Sequence, residues 1–304
     1  MARRVRRYVR GKAKTLLSES VQEIETKIDS RVDDLASYVE QKLDAMDRKI
    51  NRINEIVTST HDEIPLLTRE LYKLRHSTGY ASAFKDKPLI SVRIATYNRS
   101  DLLIERAISS ILKQTYQNFE IVVVGDHCTD DTEAKLKKLG DKRIRFYNLP
   151  NRTAYPQERT RKWMVIGAPA MNQAAAMSRG AWIAPLDDDD EFSPEHLEKL
   201  LDHAQKTKSE LVYGATNVHY LNSTKRMQFY AFPPEKGQFT FIGAIYLKLL
   251  DDLFKYDFHS WVVDEVADWN LIRRMMEAGV RISAIEDVVS DVYLIPAGHK
   301  TKDY

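Results

Sequence analysis

Cysteine is nearly missing. Cys128 stands alone among 304 residues, so no intrachain disulfide can form, which fits a reducing compartment. Glycine and proline are scarce, at 11 and 10 residues, and unevenly spread. Between residues 15 and 75 there is one proline, Pro65, and no glycine. That excludes a loop-rich segment there and favours a long helix. No run approaches the roughly 20 apolar residues that a spanning helix needs. The basic start leads into no apolar stretch of the kind a secretory signal carries. The expected location is cytoplasmic, or peripheral at the inner face of a membrane. Gly-rich phosphate loops, Cys/His metal clusters and a Gly-X-Ser-X-Gly elbow are also absent, which argues against P-loop, zinc-finger and hydrolase chemistry.

What is present begins with charge. Residues 1–14 hold Arg3, Arg4, Arg6, Arg7, Arg10, Lys12 and Lys14 without one acid, although the whole chain carries a net charge of only +2. Such a basic tail suits an anionic lipid surface; a solubilising tail is the alternative, and no nucleic-acid partner is expected. From 15 to 75, apolar residues recur at Val21, Ile24, Ile28, Val32, Leu35, Val39, Leu43, Met46, Ile50, Ile53 and Val57. The steps form an 11-residue repeat and then heptads. A narrow apolar stripe flanked by charge is the seam of a coiled coil, so the expectation is a homo-oligomer through this helix. Its β-branched seam leans toward three or four chains. Pro65 either starts a new helix or kinks the old one. Residues 76–88 read as a linker.

From residue 89 the period changes. Leu89–Ala95 and Phe119–Val124 are β-rich runs, Arg143–Tyr147 is a third and Ala181–Leu186 a fourth, with helical patterns between them. Alternation of this kind predicts an α/β domain over 89–304, a mostly parallel sheet flanked by helices. Ligands in such sheets sit at the carboxyl ends of strands. Thr96–Arg99, Asp126–Asp131 and Asp187–Asp190 all follow strands directly, so three polar loops should meet at one edge. Four adjacent carboxylates repel and raise each other's pKa. Something positive must offset them, and a hard divalent cation carrying a diphosphate is the obvious candidate. A solvated acidic loop is the bland alternative.

Three stretches carry a family resemblance: Ser91-Val-Arg-Ile-Ala-Thr-Tyr-Asn-Arg99, Val123-Val-Gly-Asp-His-Cys-Thr-Asp-Asp-Thr132, and Asn172 followed by Arg179-Gly-Ala-Trp-Ile-Ala-Pro-Leu-Asp-Asp-Asp-Asp190. In order and spacing they resemble family 2 glycosyltransferases, over roughly residues 89–300. The resemblance implies a GT-A fold and inverting transfer of a sugar from a nucleotide-diphosphate donor, expected to be UDP-linked. It implies Mn²⁺ or Mg²⁺ as cofactor. Asp189 would touch the metal, Asp187 or Asp188 the ribose and metal water, and His299 the metal or diphosphate. Asp126 would accept from the imide N–H of a pyrimidine, with Tyr97 stacking on the base, Arg99 near the phosphates and Thr96 in the same donor loop. Gly125, His127 and Cys128 depart from the usual pattern.

Inversion requires a base for the acceptor hydroxyl. Asp268-Trp-Asn-Leu-Ile-Arg-Arg274 resembles the family's base-bearing segment, which makes Asp268 the expected base, with Asp264 and Glu265 as rivals. The acceptor is a glycan, a lipid-linked sugar or a protein. Two other readings remain at this point: a nucleotidyltransferase making nucleotide-sugars, and a non-catalytic sugar-binding module on a structural coiled coil.

Overall fold

The computed structural model describes residues 2–220 and 226–294; within the first helix, the side chains of 51–62 and of scattered positions before residue 30 lie outside that description. Two compact units divide the chain, Met1–Ser59 and Thr60–Tyr304.

A single helix, Ala2–Arg75, takes in the basic tail and carries Pro65 within it. In the first unit the apolar stripe stands open to solvent, with Val21, Ile28, Val32, Leu35 and Leu43 all about half exposed or more. The helix end belongs to the second unit. Leu67 and Leu71 are buried in its core, and Arg75 clasps Glu210 through Nε (2.7 Å) and Nη2 (2.8 Å). The segment 76–88 differs from the linker its small and polar residues suggest. It forms a short helix, Thr78–Ser82, and buries Tyr80, Ala83 and Phe84. Phe84 meets Trp182 edge to face, and the Trp182 indole N–H donates to the Ala83 carbonyl at 2.8 Å. Aromatic burial fixes this segment, and it packs within the second compact unit, Thr60–Tyr304.

The second unit is built on one sheet. Strands β1 (Ile90–Thr96), β2 (Phe119–Gly125), β3 (Ile144–Asn148) and β4 (Trp182–Asp187) run parallel in the order β3-β2-β1-β4. Short β5 (Glu191–Phe192), then β6 (Leu211–Tyr220), β7 (Arg226–Phe229), β8 (Ala244–Leu247) and β9 (Ile282–Leu294) complete it. β8 runs antiparallel to β4 and β6, and β9 parallel to β6. The sheet is therefore mixed, in keeping with the GT-A expectation. β2 is buried along its whole length and β1 at all but Ala95, as expected for central strands covered on both faces. Across β1, Ile90, Val92 and Ile94 join the main core. Arg93 and Ala95 alternate onto the opposite face, where the helix Ala168–Met177 covers Val122 and Val124 with Ala170 and Ala174.

Register places the site. Thr96 pairs with Gly125, Gly125 with Asn148, and Ala95 with Asp187. Four strands end at about one level, and their loops emerge side by side.

Candidate active site

The first two loops are stapled together. Asn98 sits in the left-handed region at φ 50°, a conformation its side chain tolerates. Its Oδ1 accepts from the backbone N–H of Thr129 (2.8 Å) and Asp130 (3.3 Å). Asp130 accepts from the Thr132 hydroxyl (2.5 Å), and Asp131 from the Ser100 hydroxyl (2.6 Å). Both acids thus shape the turn. Gly125 has a steric reason: a Cβ there would lie 2.6 Å from Asn148 Oδ1. Asn148 needs that room, since it grips Cys128 through the backbone N–H (2.7 Å) and the carbonyl (2.8 Å).

Asp126 is buried and fully satisfied. It accepts from the Thr153 N–H (3.0 Å), the Thr153 hydroxyl (2.8 Å), the Tyr155 hydroxyl (2.7 Å) and Arg152 Nη1. Burial, and next the hydrogen bond to Asp126, push the Tyr155 phenol up to about 12. The Arg152 guanidinium also covers the Tyr97 ring, 3.4 Å from its centroid. Tyr97 and Asp126 are therefore together, as the resemblance implies, but a cation already lies between them. Arg152, Thr153 and Tyr155 come from the loop after β3, a stretch whose sequence pattern names no element.

The acid run divides by role. Asp188 is buried; it accepts from the Thr96 hydroxyl at 2.7 Å and from Arg99 Nη1 at 3.1 Å. Thr96 thus orients an acid. Asp189 takes the same Arg99 nitrogen at 2.8 Å, and its carbonyl accepts from Arg106 at 2.9 Å. Asp190 faces inward and accepts from the Tyr293 N–H at 2.9 Å, which ties the run to β9. Burial raises Asp187 to about 7, with the charges of Asp268 and Asp189 adding to it and Arg93 opposing. Burial raises Asp188 to about 6, helped by Asp189 and opposed by Arg99. Asp190 is raised well above the carboxylate range, first by burial and then by Asp187.

Asp268 lies in the first turn of the helix Ala267–Glu277, capped by Val266. It lies near enough to Asp187 for its charge to act on that carboxyl. Burial raises its pKa, while the Arg93 guanidinium opposes the rise. Its rivals stand elsewhere. Glu265 is clasped by Arg273 at 2.8 and 2.9 Å and by Asn270 at 2.8 Å, which with burial opposing leaves its pKa lowered. Asp264 is exposed and left-handed at φ 57°, closing a short 3₁₀ turn. His299 lies outside the described residues. Among the described residues no three His, Cys, Asp or Glu side chains are grouped to hold a metal, and none of the helices is long and apolar enough to cross a membrane.

The pattern of "Glycosyl transferase family 2" matches residues 91–259, more than half of the chain. The chain belongs to that family. It is 31% identical over 138 residues to UDP-Glc:alpha-D-GlcNAc-diphosphoundecaprenol beta-1,3-glucosyltransferase WfgD of Escherichia coli, covering 45% of this chain and 49% of that one. It is 30% identical over 166 residues to the chondroitin synthase of Escherichia coli, covering 54% and 21%. The chain thus spans about half the length of the first relative and a fifth of the second. Among solved structures, S. aureus TarS 1–349 in complex with UDP-GlcNAc superposes with a TM-score of 0.55 at 19% identity, over 71% of this chain and 61% of that one. That likeness establishes the fold.

Proposed function

We propose that this chain transfers a sugar, with inversion, from a UDP-sugar to a hydroxyl of a glycan, lipid-linked or protein acceptor during glycan synthesis. The observation that carries the reading is the meeting of Tyr97 and Asp126, of Asp187–Asp189, and of Asp268 around the carboxyl ends of β1, β2 and β4. Tyr97 offers a stacking face and Asp126 an acceptor for an imide N–H, once Arg152 yields its place. The WfgD and TarS names specify uridine nucleotides, which supports the same base here.

Asp187, Asp188 and Asp189 supply hard oxygen donors, and Arg99 bridging two of them shows that the corner holds positive charge. Those residues fit Mg²⁺ or Mn²⁺, which is commonly held by one or two carboxylates plus substrate phosphates. In this reading Asp189, the most accessible of the paired acids, holds the ion, with Asp187 or Asp188 beside it. A bound divalent ion neutralises the charge that builds on a departing diphosphate. Arg99 is placed to move from the acids to the phosphates. Asp268 takes the proton of the acceptor hydroxyl as its oxygen attacks the anomeric carbon, and the bond from that carbon to the β-phosphate oxygen breaks. Burial with Arg93 at hand keeps this carboxylate close to its partners and away from bulk water. The experiment is a transfer assay over a panel of UDP-sugars with Mn²⁺; hydrolysis or transfer from none of them, alongside turnover of another nucleotide class, overturns the UDP reading.

The open stripe on the first helix supports self-association, because an isolated helix cannot bury it. The cations of residues 1–14 suit an anionic membrane surface at the same end of the chain.

A further inference from the structure

The geometry points to Arg106, seated on Tyr293, as a positioning residue that holds the Asp189 main chain while the acids exchange one cation for another. It rests on the reading that Asp189 holds a divalent ion.

Two guanidiniums reach the acid loop, and they grip it differently. Arg99 bridges the side chains of Asp188 and Asp189, on the oxygens an ion needs. Like charges repel, so an arriving ion displaces it. Arg106 Nη1 donates instead to the Asp189 carbonyl at 2.9 Å. That bond uses no carboxylate oxygen and can persist with the ion in place. The segment that carries Arg106 is unusual. Ser100–Leu102 and Ser109–Leu112 are α-helical, and Leu103–Ile108 between them is a π-helical turn. Such turns are rare and cluster at functional sites.

Arg106 has a seat of its own. Its guanidinium carbon lies 4.2 Å from the centre of the Tyr293 ring on β9. Tyr293 is tied to the acid loop at two points. Its N–H donates to Asp190 Oδ1 at 2.9 Å and its hydroxyl to Glu191 Oε2 at 2.7 Å. Burial, and next the bond to Glu191, push the phenol up, so it stays a donor. His219 stacks on the same ring with centroids 4.9 Å apart, and its Nε2 meets Asp291 Oδ1 at 2.6 Å. Asp291 in turn stands opposite Glu191 where β5 pairs with β9. Arg106 and Tyr293 thus hold three consecutive residues, Asp189 by its carbonyl and Asp190 and Glu191 by their side chains. The Asp189 carboxylate takes no part in this clamp. A ligand on a backbone so fixed is oriented before the ion arrives.

The test titrates Mn²⁺ calorimetrically into wild type, Arg106→Met and Tyr293→Phe in the presence of UDP, with melting temperature and UDP affinity at saturating Mn²⁺ measured beside it. Arg106→Met should weaken Mn²⁺ binding about 10- to 100-fold, as loss of a group that orients a metal ligand does. UDP affinity should recover at saturating Mn²⁺. The sign is diagnostic. Removing a cation beside a cation site would, by charge alone, tighten Mn²⁺ binding. A residue serving stability alone would lower the melting temperature and leave the Mn²⁺ affinity of the folded protein unchanged. Tighter or unchanged Mn²⁺ binding in Arg106→Met therefore overturns the inference. Tyr293→Phe keeps the ring beside Arg106 and loses only the bond to Glu191, so about fivefold weaker Mn²⁺ binding is expected, the scale of one hydrogen bond. If Arg106→Met does not fold, Tyr293→Phe decides by the same criterion. No Mn²⁺ uptake by the wild type with UDP overturns the metal reading, and the inference with it.

Discussion

The Arg152 guanidinium lies over the Tyr97 ring, 3.4 Å from its centroid, while also bridging to Asp126. In the proposed reading, a cation over that aromatic face and paired with the carboxylate stands where the nucleotide base would lie. Arg152→Ala should therefore tighten UDP binding, by about 1 kcal/mol or roughly fivefold, the scale of one partly exposed cation–π and ion-pair contact. Tyr97→Ala should weaken it by about 1–3 kcal/mol, the worth of one stacked base. Isothermal titration with UDP measures both. Weaker binding in Arg152→Ala would make Arg152 a ligand of the nucleotide.

The base assignment separates three acids. Asp268→Asn is expected to cut kcat by about 10²-fold or more while leaving donor binding intact, the scale of a general base. Asp264→Asn should transfer normally. Glu265→Gln should act mainly on stability, at about 1–2 kcal/mol, because Arg273 and Asn270 lose a charged partner that is mostly buried. Steady-state kinetics beside denaturant melts distinguish these outcomes.

The raised carboxyls make stability depend on pH in a defined direction. Asp187 sits at about 7 and Asp188 at about 6 in the folded chain, against about 3.9 in an unfolded one. Folding therefore favours their protonated forms. Their contribution is complete below about pH 4 and is lost as pH rises through 6 to 7. Melting temperature without metal should fall between pH 5 and 8 on their account. Asp187→Asn should raise it more at pH 8 than at pH 5. An equal effect at both pH values would show that Asp187 ionises freely.

Self-association rests on the first unit. Removing residues 1–59 should leave a folded, monomeric second unit in light scattering, whereas the full chain should run as an oligomer. An oligomer of unchanged order after the cut would place the interface in the catalytic unit.

Much of this architecture was legible in the sequence. β1, β2 and β4 are apolar runs ending in polar loops, and their shared register follows from parallel pairing. β5, β7 and β8 were not legible, because strands of two to four residues carry no period. β9 mixes Ser283, Glu286, Asp287 and Asp291 into a half-exposed strand, which hides its alternation. Residues 76–88 look like a linker until Tyr80 and Phe84 find Trp182. Within the site, Asp126 and the acid run stood out, but their internal partners did not. Arg152 and Tyr155 come from a loop without pattern, and only tertiary packing brings them to Asp126. Arg93 did leave a signal, a lone charge within the run Ile90–Ala95, and a buried strand admits such a charge only when carboxylates wait nearby.

The central claim is that the acids after β4 seat a divalent ion together with a nucleotide diphosphate. Titration of UDP into wild type and Asp189→Ala, with and without Mn²⁺, tests it most directly. Binding that needs the metal in wild type and vanishes in Asp189→Ala is the predicted result. Equal binding in all four titrations would contradict it.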